Sequence, residues 1–333
     1  MGRVKPRRTK IPKKQREQKS LITAARDGDV EHVQTDLAAG VDPNVPDSFG
    51  SRALYLAAAN GHEDVVRLLL AAGAQVNALS EDETTVDRSS YHFQSTALVV
   101  AVLHRHESIA LLLVDHGADV NATDGFCGTT SLVEAAYAGL EKLVDVLLAR
   151  GARVDAVNGY YTRGVLASAA QSGNAHIVRS LLAHSAPLEP KAFANACAHG
   201  HVEIVELLLQ AGMDPSGVPS AAGNGHIFLL KRLLDRSTYD DLTLGQALRS
   251  AASNGHIDAV RLLLSRGAPI DAQTSYGWTP LMCAAWAEHI DAVRMLLDHG
   301  ATVGIIDTKG KTAADWAREK GRLAMVELLT GKR

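Results

Sequence analysis

Short apolar blocks alternate with polar punctuation along almost the whole chain. Alanine-rich stretches run into a small polar turn at Ala57-Ala58-Ala59-Asn60-Gly61-His62, Ala221-Ala222-Gly223-Asn224-Gly225-His226 and Ala251-Ala252-Ser253-Asn254-Gly255-His256. The same phase recurs at Ala24-Ala25-Arg26-Asp27-Gly28, Ala135-Ala136-Tyr137-Ala138-Gly139, Ala196-Cys197-Ala198-His199-Gly200-His201 and Ala284-Ala285-Trp286-Ala287-Glu288-His289. An amphipathic stretch closing on leucines follows each one, as in Val65-Val66-Arg67-Leu68-Leu69-Leu70 and Ala259-Val260-Arg261-Leu262-Leu263-Leu264. This pattern predicts a short helix, a tight turn and a second short helix, repeated.

Glycine closes the second helix of most copies, as in Ala72-Gly73-Ala74-Gln75-Val76-Asn77-Ala78 and His116-Gly117-Ala118-Asp119-Val120-Asn121-Ala122. It supplies the left-handed cap without a Cβ penalty. On these motifs the chain resembles the ankyrin-repeat family, whose unit is about 33 residues with a Thr-Pro-Leu-His start; Thr279-Pro280-Leu281 matches that start best. The resemblance covers residues 20 to 330 and implies an all-α dominated repeat solenoid, with paired helices and β-hairpin fingers. Positions Gly40, Gly73, Gly117, Gly151, Ser185, Gly212, Ser237, Gly267, Gly300 and Gly331 mark ten units, placed over 20–331.

Two spacings depart from the unit. The step from Gly73 to Gly117 is 44 residues, which predicts a long polar loop at 79–94 headed by Glu81-Asp82-Glu83. The steps of 27 and 25 residues after Ser185 and Gly212 leave no room for fingers in the middle repeats. Ser185 and Ser237 replace the capping glycine there. A left-handed serine costs roughly 1 kcal/mol, so residues 185–245 are expected to be the weakest part. Each repeat buries its apolar face against its neighbours, and Asp315, Arg318, Glu319, Lys320 and Arg322 suit Lys311–Arg333 to a capping unit.

The composition, 46% hydrophobic and 21% charged, is that of a globular chain and excludes collagen-like or wholly disordered classes. No apolar run approaches the roughly 18 residues that span a bilayer, and neither a secretory signal nor a myristoylation signal is read at the N-terminus. Cys127, Cys197 and Cys283 are too few and too far apart for a disulfide framework or zinc pairs, which fits an intracellular protein of the nucleus or cytoplasm. Charge is uneven. Residues 1–20 carry nine Lys and Arg against Glu17, a balance of +8, and the total of −3 leaves −11 for the remainder. Residues 1–19 read as a basic leader in which Pro6 and Pro12 oppose helix, and Arg7, Arg8, Lys10, Lys13, Lys14 and Arg16 fit a nuclear-targeting run or a solvated tail. The acidic remainder disfavours direct nucleic-acid binding.

Catalytic chemistry finds little footing. His62, His106, His201, His226, His256 and His289 share one repeat phase, spread along the array as turn residues rather than gathered as ligands. No GxSxG elbow or phosphate loop occurs, and Thr308-Lys309-Gly310-Lys311-Thr312 has the wrong spacing for one. Cys127, in a finger at Asp124–Thr129, reads as an inert thiol with oxidation as the alternative. No enzyme, cofactor or metal is therefore expected.

The resemblance places partner contacts on a concave surface, at the finger tips and at the residues preceding each turn. Tyr137, Trp286, His104 and His199 occupy such helix positions, while Phe49, Phe126, Tyr160, Tyr161, Tyr276 and Trp278 fall in fingers. Large rings anchor interfaces; Tyr276 and Trp278 equally fit packing against an adjacent finger. Trp316 reads as core. The expected function is a protein-interaction scaffold, with an escort for a basic client or an accessory to an enzyme as alternatives.

Overall fold

A computed structural model describes residues 13–81, 94–159 and 162–331, with side chains from Ser20 and excluding that of Glu81. Among the described residues twenty helices follow one another as ten pairs, from α1 (Lys13–Asp27) and α2 (Val30–Ala38) to α19 (Ala313–Glu319) and α20 (Leu323–Thr330). Apart from α1 and α15 (Asp241–Ser253), the first helix of a pair is short, as in α3 (Ala53–Ala59), which is alanine-rich and buried at all but its last residue. Small side chains let neighbouring first helices approach closely. The second helix buries a single stripe, Val65, Val66 and Leu69 in α4 (Glu63–Ala71), at about 1.5–3 kcal/mol per fully buried side chain.

The chain divides into two compact units, one of Met1–Ser168 with Ser180–Pro187, the other of Ala169–Arg179 with Leu188–Arg333. In the first unit, asparagines fasten successive repeats. Asn44, Asn77 and Asn121 each donate to a glycine carbonyl of the next repeat, at Gly73, Gly117 and Gly151, over 3.1–3.2 Å. Each also accepts a backbone N–H there, from Gln75, Asp119 and Arg153. Fingers add a second tie. Strands β1 (Ser80–Glu81) and β2 (Gln94–Ser95) pair antiparallel, as do β3 (Val157–Asn158) and β4 (Arg163–Gly164). Adjacent fingers meet through main-chain bonds, Gly125 N–H to the Gln94 carbonyl at 2.8 Å and Gly159 N–H to the Cys127 carbonyl at 2.7 Å. The predicted loop at 79–94 is thus closed at its base by β1 and β2; its residues 82–93 lie outside the described residues.

In the second unit the connectors between α11 (Pro190–Ala198), α12 (Val202–Gln210), α13 (Val218–Gly223), α14 (Ile227–Arg236) and α15 (Asp241–Ser253) are short and carry no strand, so these middle repeats lack hairpin fingers. Finger turns return at Thr274–Trp278 and Asp307–Lys311. Thr279 caps α17 (Pro280–Ala287) by accepting from Met282 N–H, with Pro280 at the first helical position, where its missing N–H costs nothing.

The capping glycines at 40, 73, 117, 151, 212, 267, 300 and 331 are all left-handed, and so is Ser185 at φ 60°. Ser237 is not. It leaves α14 extended at φ −144°, because the four-residue connector to α15 continues straight on, and the strain expected at this serine is absent. Helix α1 is described from Lys13, ahead of residue 20, where the sequence places the start of the array.

Candidate functional site

The repeat-phase histidines are built into the joints between repeats. His62 Nε2 donates to the Arg26 carbonyl at 2.9 Å, His106 Nε2 to Ala59 at 3.1 Å and His226 Nε2 to Ala198 at 2.8 Å. His201 lies on the Gly173 turn in the same manner. Burial, followed by the charges of His199 and His226, lowers its pKa against the opposing hydrogen bond to Gln171. Arg322 takes the histidine's place in the C-terminal repeat; its guanidinium donates to the carbonyls of Ala285, at 3.0 Å, and Trp286.

The cysteines are equally committed. The Cys127 thiol donates to Asp124 Oδ2 at 3.0 Å and accepts from Asn158. Burial and then the Asp124 carboxylate push it up to about 11, while burial holds Cys283 at about 11 and Cys197 at about 12. A thiol is nucleophilic as thiolate, and these surroundings favour the protonated, less nucleophilic form at all three positions.

What stands exposed is aromatic. Tyr137, in the last turn of α7 (Ser131–Ala138), is 38% exposed, and the Arg163 guanidinium lies over its ring with Cζ 4.0 Å from the centroid. Arg163 is itself largely buried, with Glu134 3.7 Å away, and Glu134 accepts from the Thr129 hydroxyl at 2.8 Å. One buried ion pair therefore fixes the ring's attitude. Phe49 and Phe126 project from finger turns, 64% and 59% exposed. His104 stands exposed at the end of α5 (Ala97–Leu103), stacked on His106 with centroids 6.2 Å apart. His199 stacks on His201 at 5.7 Å and donates from Nδ1 to the Asn195 carbonyl. Tyr160, Tyr161, Arg7, Arg8 and Lys10 lie outside the described residues; of Lys13, Lys14 and Arg16 only the helical backbone is described.

The second unit gathers its indoles. Trp278, Trp286 and Trp316 meet with centroids 5.2–5.7 Å apart, Trp286 standing edge-on to both others. Trp316 is buried, its Nε1 donating to Asp307 Oδ2 at 2.9 Å, and Trp278 and Trp286 are half-buried. Lys320 Nζ sits 3.9 Å above the Trp286 ring and Lys311 Nζ 4.3 Å above that of Trp316. Tyr276, one finger residue away, is 71% exposed. Trp278 packs against the indoles of Trp286 and Trp316, which stand on helices rather than on an adjacent finger, and Tyr276 faces solvent. Sequence reasoning missed Arg163 and the lysines as partners of the rings. Lys320 was visible as a charged residue of the capping unit, not as a partner of Trp286, and nothing in the spacing ties Arg163 to Tyr137.

This arrangement of helix pairs, joint glycines and fingers has a counterpart among known proteins. The family description "Ankyrin repeats (3 copies)" matches residues 21–124, 87–158, 132–217, 220–307 and 277–333. The chain belongs to the ankyrin-repeat family. A similar solved structure is the human ASB11 ankyrin repeat domain, 25% identical with a TM-score of 0.52, in a match covering 62% of this chain and 98% of that one. Ankyrin repeats generally act as protein-interaction modules. Among the described residues no helix of this array is long and apolar enough to cross a membrane.

Proposed function

We propose that this chain is a non-catalytic scaffold that binds a partner protein through the inner ends of its first helices and its finger tips, with Tyr137 and Trp286 as anchors. The observation that carries this reading is the bracing of both rings. Each sits at the end of a first helix, with a cation over its face, Arg163 on Tyr137 and Lys320 on Trp286. A ring held in one orientation loses little entropy on docking, and aromatic anchors concentrate interface energy. Phe49, His104, Phe126, Tyr160 and Tyr161 are the further contacts proposed on the first unit, and His199, Tyr276 and Trp278 those on the second. The basic residues Arg7, Arg8, Lys10, Lys13, Lys14 and Arg16 direct the chain to the nucleus.

The test is affinity capture from native extract. Tyr137→Ala with Trp286→Ala abolishes capture while the circular dichroism stays helical, and Tyr137→Phe, which keeps the ring, retains it; unchanged capture by the double variant refutes the anchors. Fusing residues 1–20 to a cytosolic reporter moves it into the nucleus, and a reporter left in the cytosol removes the targeting role.

A further inference from the structure

The geometry points to the tryptophan cluster as a docking site for an acidic peptide segment, one carrying Asp or Glu beside an aliphatic side chain. This deepens the protein-binding reading above and rests on it.

Charge complementarity selects the occupant. The carboxylates around the cluster are already engaged. Asp307 accepts the Trp316 indole and the N–H groups of Lys309 and Lys311. Asp315 caps α19 and pairs with Arg318, Glu319 pairs with Lys311, and Glu288 with Arg322 at 3.2 Å. Lys309 and Lys320 are exposed and make no salt bridge within 4 Å among the described residues, the Lys309 charge reaching Asp307 only at longer range. Their ammonium groups rest over indole faces instead, 5.4 Å from Trp316 and 3.9 Å from Trp286. An ammonium over an aromatic face keeps its outward N–H donors available, and the ring beneath holds it in place. The exposed Tyr276 ring offers apolar surface alongside. Carboxylates on the two lysines and an aliphatic side chain against the tyrosine satisfy all three.

A nucleic-acid strand fits less well. Stacking needs open ring faces, and here Lys320 covers Trp286, Lys311 covers Trp316, and the rings meet edge to face.

The chain's three tryptophans are the three of this cluster, so intrinsic tryptophan emission reads the patch alone. The probe is a displayed library of random short peptides, panned on the full chain. Enriched peptides are expected to carry Asp or Glu flanking Leu, Ile or Val, and synthetic copies to shift tryptophan emission. Lys309→Ala with Lys320→Ala weakens them about tenfold or more, whereas Lys142→Ala, on an exposed helix face of the first unit, leaves them unchanged. Lys309→Arg with Lys320→Arg keeps the charge and retains binding.

Neutral or basic peptides that shift the emission overturn the acidic chemistry and leave the protein-binding reading standing. Peptides that bind without changing the emission overturn the placement at this cluster. A single-stranded RNA oligonucleotide that displaces the peptides and shifts the emission replaces the occupant by a nucleic acid. A library from which nothing is enriched removes this site, while the protein-binding reading stands or falls on the capture experiment with the Tyr137→Ala, Trp286→Ala variant.

Discussion

A Cβ on Gly28 would stand 2.5 Å from Nδ1 of His62. Gly28 is left-handed at φ 76°, and the imidazole above it donates to the Arg26 carbonyl, so the glycine of one repeat and the histidine of the next form one joint. The joint recurs at Gly61 with His106, Gly200 with His226, Gly225 with His256 and Gly255 with His289, with the missing Cβ 2.5–2.7 Å from the ring each time.

Gly225→Ala is expected to destabilise the chain by about 2–4 kcal/mol, roughly 1 from the left-handed backbone and the rest from overpacking His256. Denaturant unfolding measures it. His256→Ala in the same chain removes the clash, so the double variant loses less than the two single variants together; strict additivity would show that the ring and the glycine do not share a joint.

Some joints and caps lack their glycine. Arg105 and Ser185 are left-handed at φ 63° and 60°, and replacing either by glycine is expected to raise stability by about 1 kcal/mol. Ser237→Gly has no such strain to relieve and lowers it by up to about 1 kcal/mol through chain entropy. Thermal melts of the three variants separate the cases, and a gain at Ser237 would contradict its extended backbone.

Asp307 links the last finger turn to Trp316. Burial tends to raise its pKa, but the N–H groups of Lys311 and Lys309 and the indole outweigh this and lower it. The carboxylate is thus more easily kept charged in the folded state, and its contribution is present above the ordinary carboxylate value near 3.9 and lost as pH falls through the lower folded value. Acid titration of tryptophan emission should break below that pH. Asp307→Asn lowers the melting temperature at pH 7 and flattens the acid transition; a variant indistinguishable from the parent in both would exclude the link.

The three thiols should resist iodoacetamide at pH 7–8 in the folded chain, with Cys127 gaining reactivity as pH approaches about 11. Asp124→Asn removes the acceptor beside Sγ, lowers that pKa and speeds labelling of Cys127, while Cys197 stays slow. Mass spectrometry of the labelled peptides decides between this and uniform reactivity.

Hydrogen exchange is expected to be fastest over residues 185–245. The short connectors there have no finger hairpins, and the asparagine clips of residues 44, 77 and 121 have no equivalent among the described residues of that stretch. Uniform protection along the array would refute a weak middle.

The repeat, its ten copies and the missing middle fingers were legible because periodicity survives in the order of residues. The joint histidines showed their phase for the same reason. Arg163 over Tyr137 did not, since 26 residues separate them and only the hairpin of β3 and β4 brings the guanidinium back over α7. Ser237 misled because a cap position in the count of repeats says where a helix ends, whereas the connector that follows decides its dihedral angles. Trp278, Trp286 and Trp316 come from different stretches, and their meeting depends on the stacking of α17 and α19.

Where neighbouring fingers touch, the bonds run between main-chain atoms: Gly125 to Gln94, Gly159 to Cys127, and Thr308 N–H to the Tyr276 carbonyl at 3.0 Å. A bond made by the backbone survives a change of side chain. Alignment of the fingers is thereby uncoupled from most of what their tips display, so new specificities can be grafted at residues such as Phe49, Phe126 and Tyr276 without redesigning the frame that carries them.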